Sequence, residues 1–150
     1  MKVIILLITL ISLSFSQMND EQKSVKKVIE SLFTAMNTSD STLLKQSFSS
    51  KAIAYTTFVG KNGKPHLKSS DLNGFYKQIG ESKAGSLEEN ILSWDIKIDG
   101  TLASAWTDYE FYYNGKFSHC GVNSFQLYKG NNGWKIIYLI DTRRRKSCKK

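Results

Sequence analysis

The stretch TLASAWTDYEFYY-NG-KFSHCGVNSFQLYK-GNNG-WKIIYLIDT, Thr101 to Thr142, decides the fold. Thr101 to Tyr113, Phe117 to Lys129 and Trp134 to Thr142 are each dense in β-branched and aromatic residues, as strands require. Asn114-Gly115 is a two-residue hairpin signal, because both residues accept the positive φ of a type I′ turn. Gly130-Asn131-Asn132-Gly133 separates the second strand from the third. The three make a continuous antiparallel meander. With Tyr113 paired to Lys116, the same register sets Glu110 opposite His119, Asp108 opposite Gly121 and Trp106 opposite Asn123. A slip of one residue would carry that set to the other face.

Upstream, Ile91 to Ile98 alternates through Trp94, Ile96 and Ile98 and turns at Asp99-Gly100, which predicts one more strand. Asn19 with Gln22 spells a capping box ahead of Val25, Val28, Ile29, Leu32, Phe33 and Met36, a helical spacing. Asp40 opens a shorter helix carrying Leu43, Leu44 and Phe48, and Asp71 caps a third with Leu72, Phe75, Tyr76 and Ile79 on one side. Between these helices, Ala52 to Val59 reads as a strand ending at Gly60-Lys61-Asn62-Gly63, with a short strand over Pro65 to Lys68. Three helices and a run of long strands predict an α+β fold, the helices packed on one face of a strongly curved, mainly antiparallel sheet.

Met1-Lys2, the apolar run Val3 to Leu13, and Ser14 and Ser16 read as a secretory leader over residues 1–16, with cleavage after Ser16 or Gln17. The run is shorter than the roughly 20 residues of a membrane span, so stable insertion after cleavage is not expected. What remains, 17–150, is the length of one domain. The formal charge is +8, from 21 Lys+Arg against 13 Asp+Glu. Six of the cations lie in a tail at 143–150, and without these and Lys2 the body carries 14 cations against 13 acids. A basic face for nucleic acid is therefore not expected. Cys120 and Cys148 permit a disulfide in an oxidising compartment, which would close a loop worth on the order of 3 kcal/mol; Cys120 also reads as a plain buried thiol.

The order of elements, Phe58-Val59-Gly60, the turn Asp99-Gly100-Thr101-Leu102-Ala103 and the closing Gly133-Trp134-Lys135-Ile136 resemble the nuclear transport factor 2-like (cystatin-like) superfamily, which includes SnoaL-like cyclases and ketosteroid isomerase. His119-Cys120-Gly121 through Asp141-Thr142-Arg143-Arg144 most resembles its exported branch labelled lumazine-binding. The resemblance implies a cone whose inner face presents Asn123 and Phe125 on one strand and Leu139, Asp141 and Arg143 on the last. By alternation His119 and Gly121 join them. The predicted site is then Trp106, Asp108, Glu110, His119, Asn123, Asp141 and Arg143 above an apolar floor of Phe125 and Leu139. Tyr109, Phe111, Tyr113, Val122 and Tyr138 are left for an outer aromatic face, which suits a homodimer.

Set against ketosteroid isomerase, the position of its base falls near Thr57, its phenolic donor near Phe33 and Met36, and its protonated acid at Asn123, so that mechanism is not expected. His66 and His119 lie in no metal-ligand spacing, and neither a metal nor a cofactor is expected. The leading expectation is a periplasmic or secreted small-molecule-binding protein. Two rivals stand beside it. One is a SnoaL-like hydrolase or isomerase using His119 as general base with Glu110 or Asp141; the other is a dimeric protein-interaction module.

Overall fold

A computed structural model of the protein describes residues 17–148, so the leader expected over 1–16 and the last two lysines of the tail lie outside the described residues. Helix α1 (Asp20–Thr38) starts at the expected capping box: Gln22 N donates to Asn19 Oδ1 at 2.9 Å and Asn19 N to Gln22 Oε1 at 3.0 Å. It buries Val25, Ile29, Leu32, Ala35 and Met36, the stripe that helical spacing brings onto one side. Helix α2 (Ser41–Ser47) is capped by Asp40 and α3 (Leu72–Glu81) by Asp71, each accepting from backbone N–H groups of the first turn. Among the described residues, no helix is long and apolar enough to cross a membrane.

Seven strands follow or interleave: β1 (Phe48–Val59), β2 (Pro65–Ser70), β3 (Leu87–Ile91), β4 (Asp95–Asp99), β5 (Leu102–Tyr113), β6 (Lys116–Gly130) and β7 (Gly133–Arg143). Their order across the sheet is β2-β1-β7-β6-β5-β3, with β4 also beside β5, and every pairing is antiparallel except β1 with β7. The helices cover one face. Ala103, Ala105, Phe125, Leu127 and Ile136 from the sheet meet Val25, Ile29, Leu32 and Leu44 there, and the Phe33 ring stands edge-on to Phe125 with centroids 6.3 Å apart.

Strand β1 starts at Phe48, a residue expected on the second helix, rather than at Ala52, and the structure departs further from the sequence expectation at two later strands. The single strand expected over Ile91 to Ile98 is two, β3 and β4, broken at Leu92 to Trp94. Ser93 causes the break: its hydroxyl donates to Asp108 Oδ2 at 2.6 Å and accepts from Asp108 N at 3.2 Å, so a side chain stands where the ladder needs a backbone carbonyl. The second departure is one extra residue in β6. Asn114-Gly115 is the expected turn, both residues at positive φ, and Tyr113 pairs with Lys116 and Tyr112 with Phe117. Phe111 then pairs with His119, so Ser118 has no partner opposite it and forms a bulge. Beyond it every β5 residue has shifted by one. Tyr109 faces Gly121 and Thr107 faces Asn123, where the simple hairpin register had Asp108 and Trp106.

Period-two geometry turns that shift into a change of face. Thr107, Tyr109 and Phe111 join the inner, helix-covered face, while Trp106, Asp108 and Glu110 go to the outer one. On β6 and β7 the alternation places His119, Asn123, Phe125, Leu139, Asp141 and Arg143 inside, as in the sequence reading. Tyr109 and Phe111 therefore leave the expected outer aromatic face: Tyr109 is 2% exposed and Phe111 packs on the core.

Cys120, on the outer face and buried, is disulfide-bonded to Cys148. Arg144 exchanges backbone hydrogen bonds with Cys120 at 2.9 Å in both directions, extending β7 up to the bridge. The loop closed by the bond spans 28 residues and contains most of β6 and all of β7. Replacing both cysteines by alanine is expected to lower stability by about 2–4 kcal/mol in urea unfolding. The wild-type melting temperature should fall on addition of reductant and the double variant's should not move.

Candidate functional site

Three rows of inward side chains cross the upper part of the sheet. The first is Asp141, Asn123 and Thr107, adjacent on β7, β6 and β5. The next sets Gly121 beside Tyr109, and the last runs His119, Phe111 and Glu89 from β6 to β3. Below them Phe125, wholly buried, and Leu139 join the apolar core. Polar groups thus collect at one end of the inner face and the hydrocarbon floor at the other.

Hydrogen bonds tie the rows together. Asn123 Nδ2 donates to Glu89 Oε1 at 2.7 Å and lies 3.5 Å from Thr107 Oγ1. Arg143 Nε donates to Asp141 Oδ2 at 2.8 Å, and the Tyr109 hydroxyl reaches the Thr142 carbonyl at 2.9 Å and Asp141 Oδ2 at 3.3 Å. Tyr109 belongs to β5 and its partners to β7, so its ring must lie across β6. Gly121 makes that possible. A Cβ at this position would stand 2.8 Å from Tyr109 Cε1 and well inside contact with the Thr142 carbonyl oxygen. Asp141 is almost fully covered, whereas half of the Arg143 side chain is open to solvent, which puts the guanidinium at the rim.

The electrostatics sort these groups by charge. Glu89 is closely surrounded by protein yet keeps some accessible surface. Loss of water raises its carboxyl to about 8, with the charge of Asp141 adding to the rise and the bond from Asn123 and the charge of Arg143 opposing it. At neutral pH it carries its proton and can donate. Its second oxygen has no hydrogen-bond partner among the described residues. His119 moves the other way. Burial, then the cation of Arg143 and, more weakly, that of Arg145, bring it down to about 4 against an opposing pull from Asp141, so the imidazole is neutral. Its ring packs on Phe111 and Tyr109 at centroid distances of 5.0 and 5.8 Å, and Nδ1 lies 3.0 Å from Ser118 Oγ. The Tyr109 phenol stays protonated, first through burial and then through Asp141 and Glu89.

Of the sequence-predicted residues, His119, Asn123, Asp141, Arg143, Phe125 and Leu139 share this face. Trp106, Asp108 and Glu110 do not, because the Ser118 bulge sends them outward. Trp106 is half exposed there, Asp108 is held by Ser93, and Glu110 accepts from the Tyr112 hydroxyl at 2.9 Å. Glu89, Tyr109 and Thr107 were missed. Glu89 had a readable signal: in Leu87-Glu88-Glu89-Asn90-Ile91 it holds the inward parity between two apolar residues. Among the described residues no three His, Cys, Asp or Glu side chains are grouped to hold a metal. The marked surface depressions lie elsewhere, one between α2 and α3 and one on the outer face around Trp106.

Gly121→Ala is expected to displace the Tyr109 ring or part β6 from β7, costing about 2–4 kcal/mol in urea unfolding. A second expectation concerns pH. Glu89 titrates near 8 folded against 4.5 ordinarily, so the native state binds the extra proton between those values and this group's contribution to stability falls as pH rises through them. His119, near 4 folded against 6.5, behaves oppositely: the unfolded chain binds the extra proton, and stability is lost as pH falls from 6.5 toward 4. Thermal melts should show Glu89→Gln gaining on the wild type between about pH 5 and pH 8.5, and His119→Gln gaining below about pH 6.

No family model and no curated protein matches the chain. Solved structures do. A nuclear transport factor 2-like protein of unknown function from Shewanella baltica aligns over 85% of this chain and 98% of its own, at 20% identity and a TM-score of 0.62. A cystatin-like-fold protein of unknown function from Nostoc punctiforme gives 0.65 at 10% identity, over 83% of this chain and 92% of its own. A protein from Shewanella frigidimarina, named as a candidate ketosteroid isomerase, gives 0.59 at 17% identity over 81% and 97%. Three helices on a curved sheet with one parallel pairing, matched over nearly the whole length of these structures, give this chain the nuclear transport factor 2-like, cystatin-like fold.

Proposed function

We propose that the protein is an exported small-molecule-binding protein whose ligand seats against the polar end of the inner sheet face. One observation carries the reading: Glu89, a carboxyl held protonated by its surroundings, lies enclosed beside the Asn123 amide without being sealed from solvent. Folding does not need a carboxyl there, since a leucine between Leu87 and Ile91 would cost far less. The O–H of Glu89, the neutral imidazole of His119 and the rim guanidinium of Arg143 suit a compact ligand with carbonyl or ring-nitrogen acceptors, and Phe111 and the Phe125–Leu139 floor suit its planar faces. A lumazine ring has that character, in keeping with the branch that the His119 to Arg144 stretch resembles. The leader over 1–16 and the Cys120–Cys148 bridge both fit an oxidising compartment, hence periplasm or exterior.

The same inventory supports proton transfer as the second reading, with neutral His119 as base beside Asp141. Glu110 drops out of it, since it lies on the other face, and Glu89 becomes the acid. Association of two copies would use the outer face of β1 and β7, where Ile53 is 52% exposed and the Tyr55 and Tyr138 rings lie 6.0 Å apart.

Titration with lumazine, followed by its fluorescence, is expected to saturate with a Kd of about 1–100 μM, and Asn123→Leu to weaken it by about tenfold or more. Mass spectrometry of the chain purified from its native host is expected to release a small polar aromatic compound. No saturation together with no released compound would sink the binding reading. Should a reaction be found, His119→Ala must lose turnover by a far larger factor than it weakens binding.

A further inference from the structure

On the opposite face of the sheet, β4, β5 and β6 present a second chemical arrangement that owes nothing to the Glu89–Asn123 pair. One row across these strands is Asp95, Trp106 and Ser124; the next is Lys97, Ser104 and Gln126. Trp106 sits on β5 with a strand on each side, and no element among the described residues covers it: the residue is 50% exposed. The six side chains line an open depression. Lys97 Nζ lies 3.2 Å from Asp95 Oδ2, and both groups stand largely in solvent.

We propose that this depression is a saccharide-binding site with the Trp106 indole as its platform. A pyranose has two C–H-lined faces and a ring of hydroxyls around its equator. It needs a flat apolar surface beneath it and hydrogen-bonding groups of both kinds at its edge. Here the indole provides the surface, Asp95 accepts, Lys97 donates, and the Ser104 and Ser124 hydroxyls and the Gln126 amide do both. Strand spacing sets Asp95 and Ser124 about 5 Å from the indole's own position across the sheet, and the row of Lys97, Ser104 and Gln126 about 7 Å further along the strands, distances comparable to a sugar ring. Because all six side chains rise from paired strands rather than loops, the site is held in place before any ligand arrives.

A second protein copy is the rival occupant, and the chemistry disfavours it at this spot. Burial under a protein would strip water from two charges, two hydroxyls and an amide, each then needing a matched partner. The apolar part of the outer face, around Ile53, Tyr55 and Tyr138, lies on β1 and β7, at the far side of β6.

Hexaoses of glucose in α-1,4 and β-1,4 linkage, of xylose and of N-acetylglucosamine are the probes, titrated into the full mature chain. Binding is read by calorimetry and by tryptophan fluorescence. At least one is expected to saturate with a Kd of about 10 μM to 1 mM, and Trp106→Ala to weaken it by about tenfold or more. Gln126→Ala should weaken it severalfold while leaving the fluorescence of the free protein unchanged, and Trp94→Phe should bind as the wild type does. The proposal is overturned if none of the four saturates, if Trp106→Ala binds equally well, or if Trp106→Ala turns a dimer into a monomer in sedimentation, which would show the indole covered by a second copy.

Discussion

A single unpaired residue, Ser118, governs what each face of this sheet displays. The hairpin at Asn114-Gly115 closes as its turn sequence dictates, and without the bulge β5 would turn Trp106, Asp108 and Glu110 toward the helices. The core would then have to accept an indole and two carboxylates where it now holds Thr107, Tyr109 and Phe111. Burying those charges without partners would cost far more than the one unpaired residue of a bulge, so packing selects the shifted register over the unbroken one.

Tyr109 shows how much depends on that selection. Turned inward, it crosses the glycine at 121 on β6 and ties β5 to β7 through one hydroxyl. Asp141, paired with Arg143, accepts from the same hydroxyl, and the His119 ring stands edge-on to the phenol. The site's geometry and the sheet's cohesion therefore rest on the same atoms.

The fold was legible because its signals are local and redundant. Helix caps, helical stripes and hairpin turns each act within a few residues, and all agree. Strands β6 and β7 were legible for a similar reason, since alternation alone orients them once Phe125 is placed in the core. The faces of β5 were not, because a bulge is an insertion with no side-chain signature: Ser118 looks like any strand serine, and only packing of the finished core reveals it. The break at Ser93 escaped notice on the same grounds, its cause being a hydroxyl that meets Asp108 fifteen residues away. Glu89 was overlooked for another reason, as a glutamate next to a second glutamate reads as solvated until the strand's parity is taken seriously.

The outermost strand, β2, is exposed along most of its length and among the described residues pairs only with β1, so they leave its other margin as open backbone. That margin is poorly suited to recruit another chain. Pro65 has no N–H to offer, and Lys68 would set its ammonium against the same lysine of an identical neighbour. A sheet of seven strands can in this way end without inviting fibril growth.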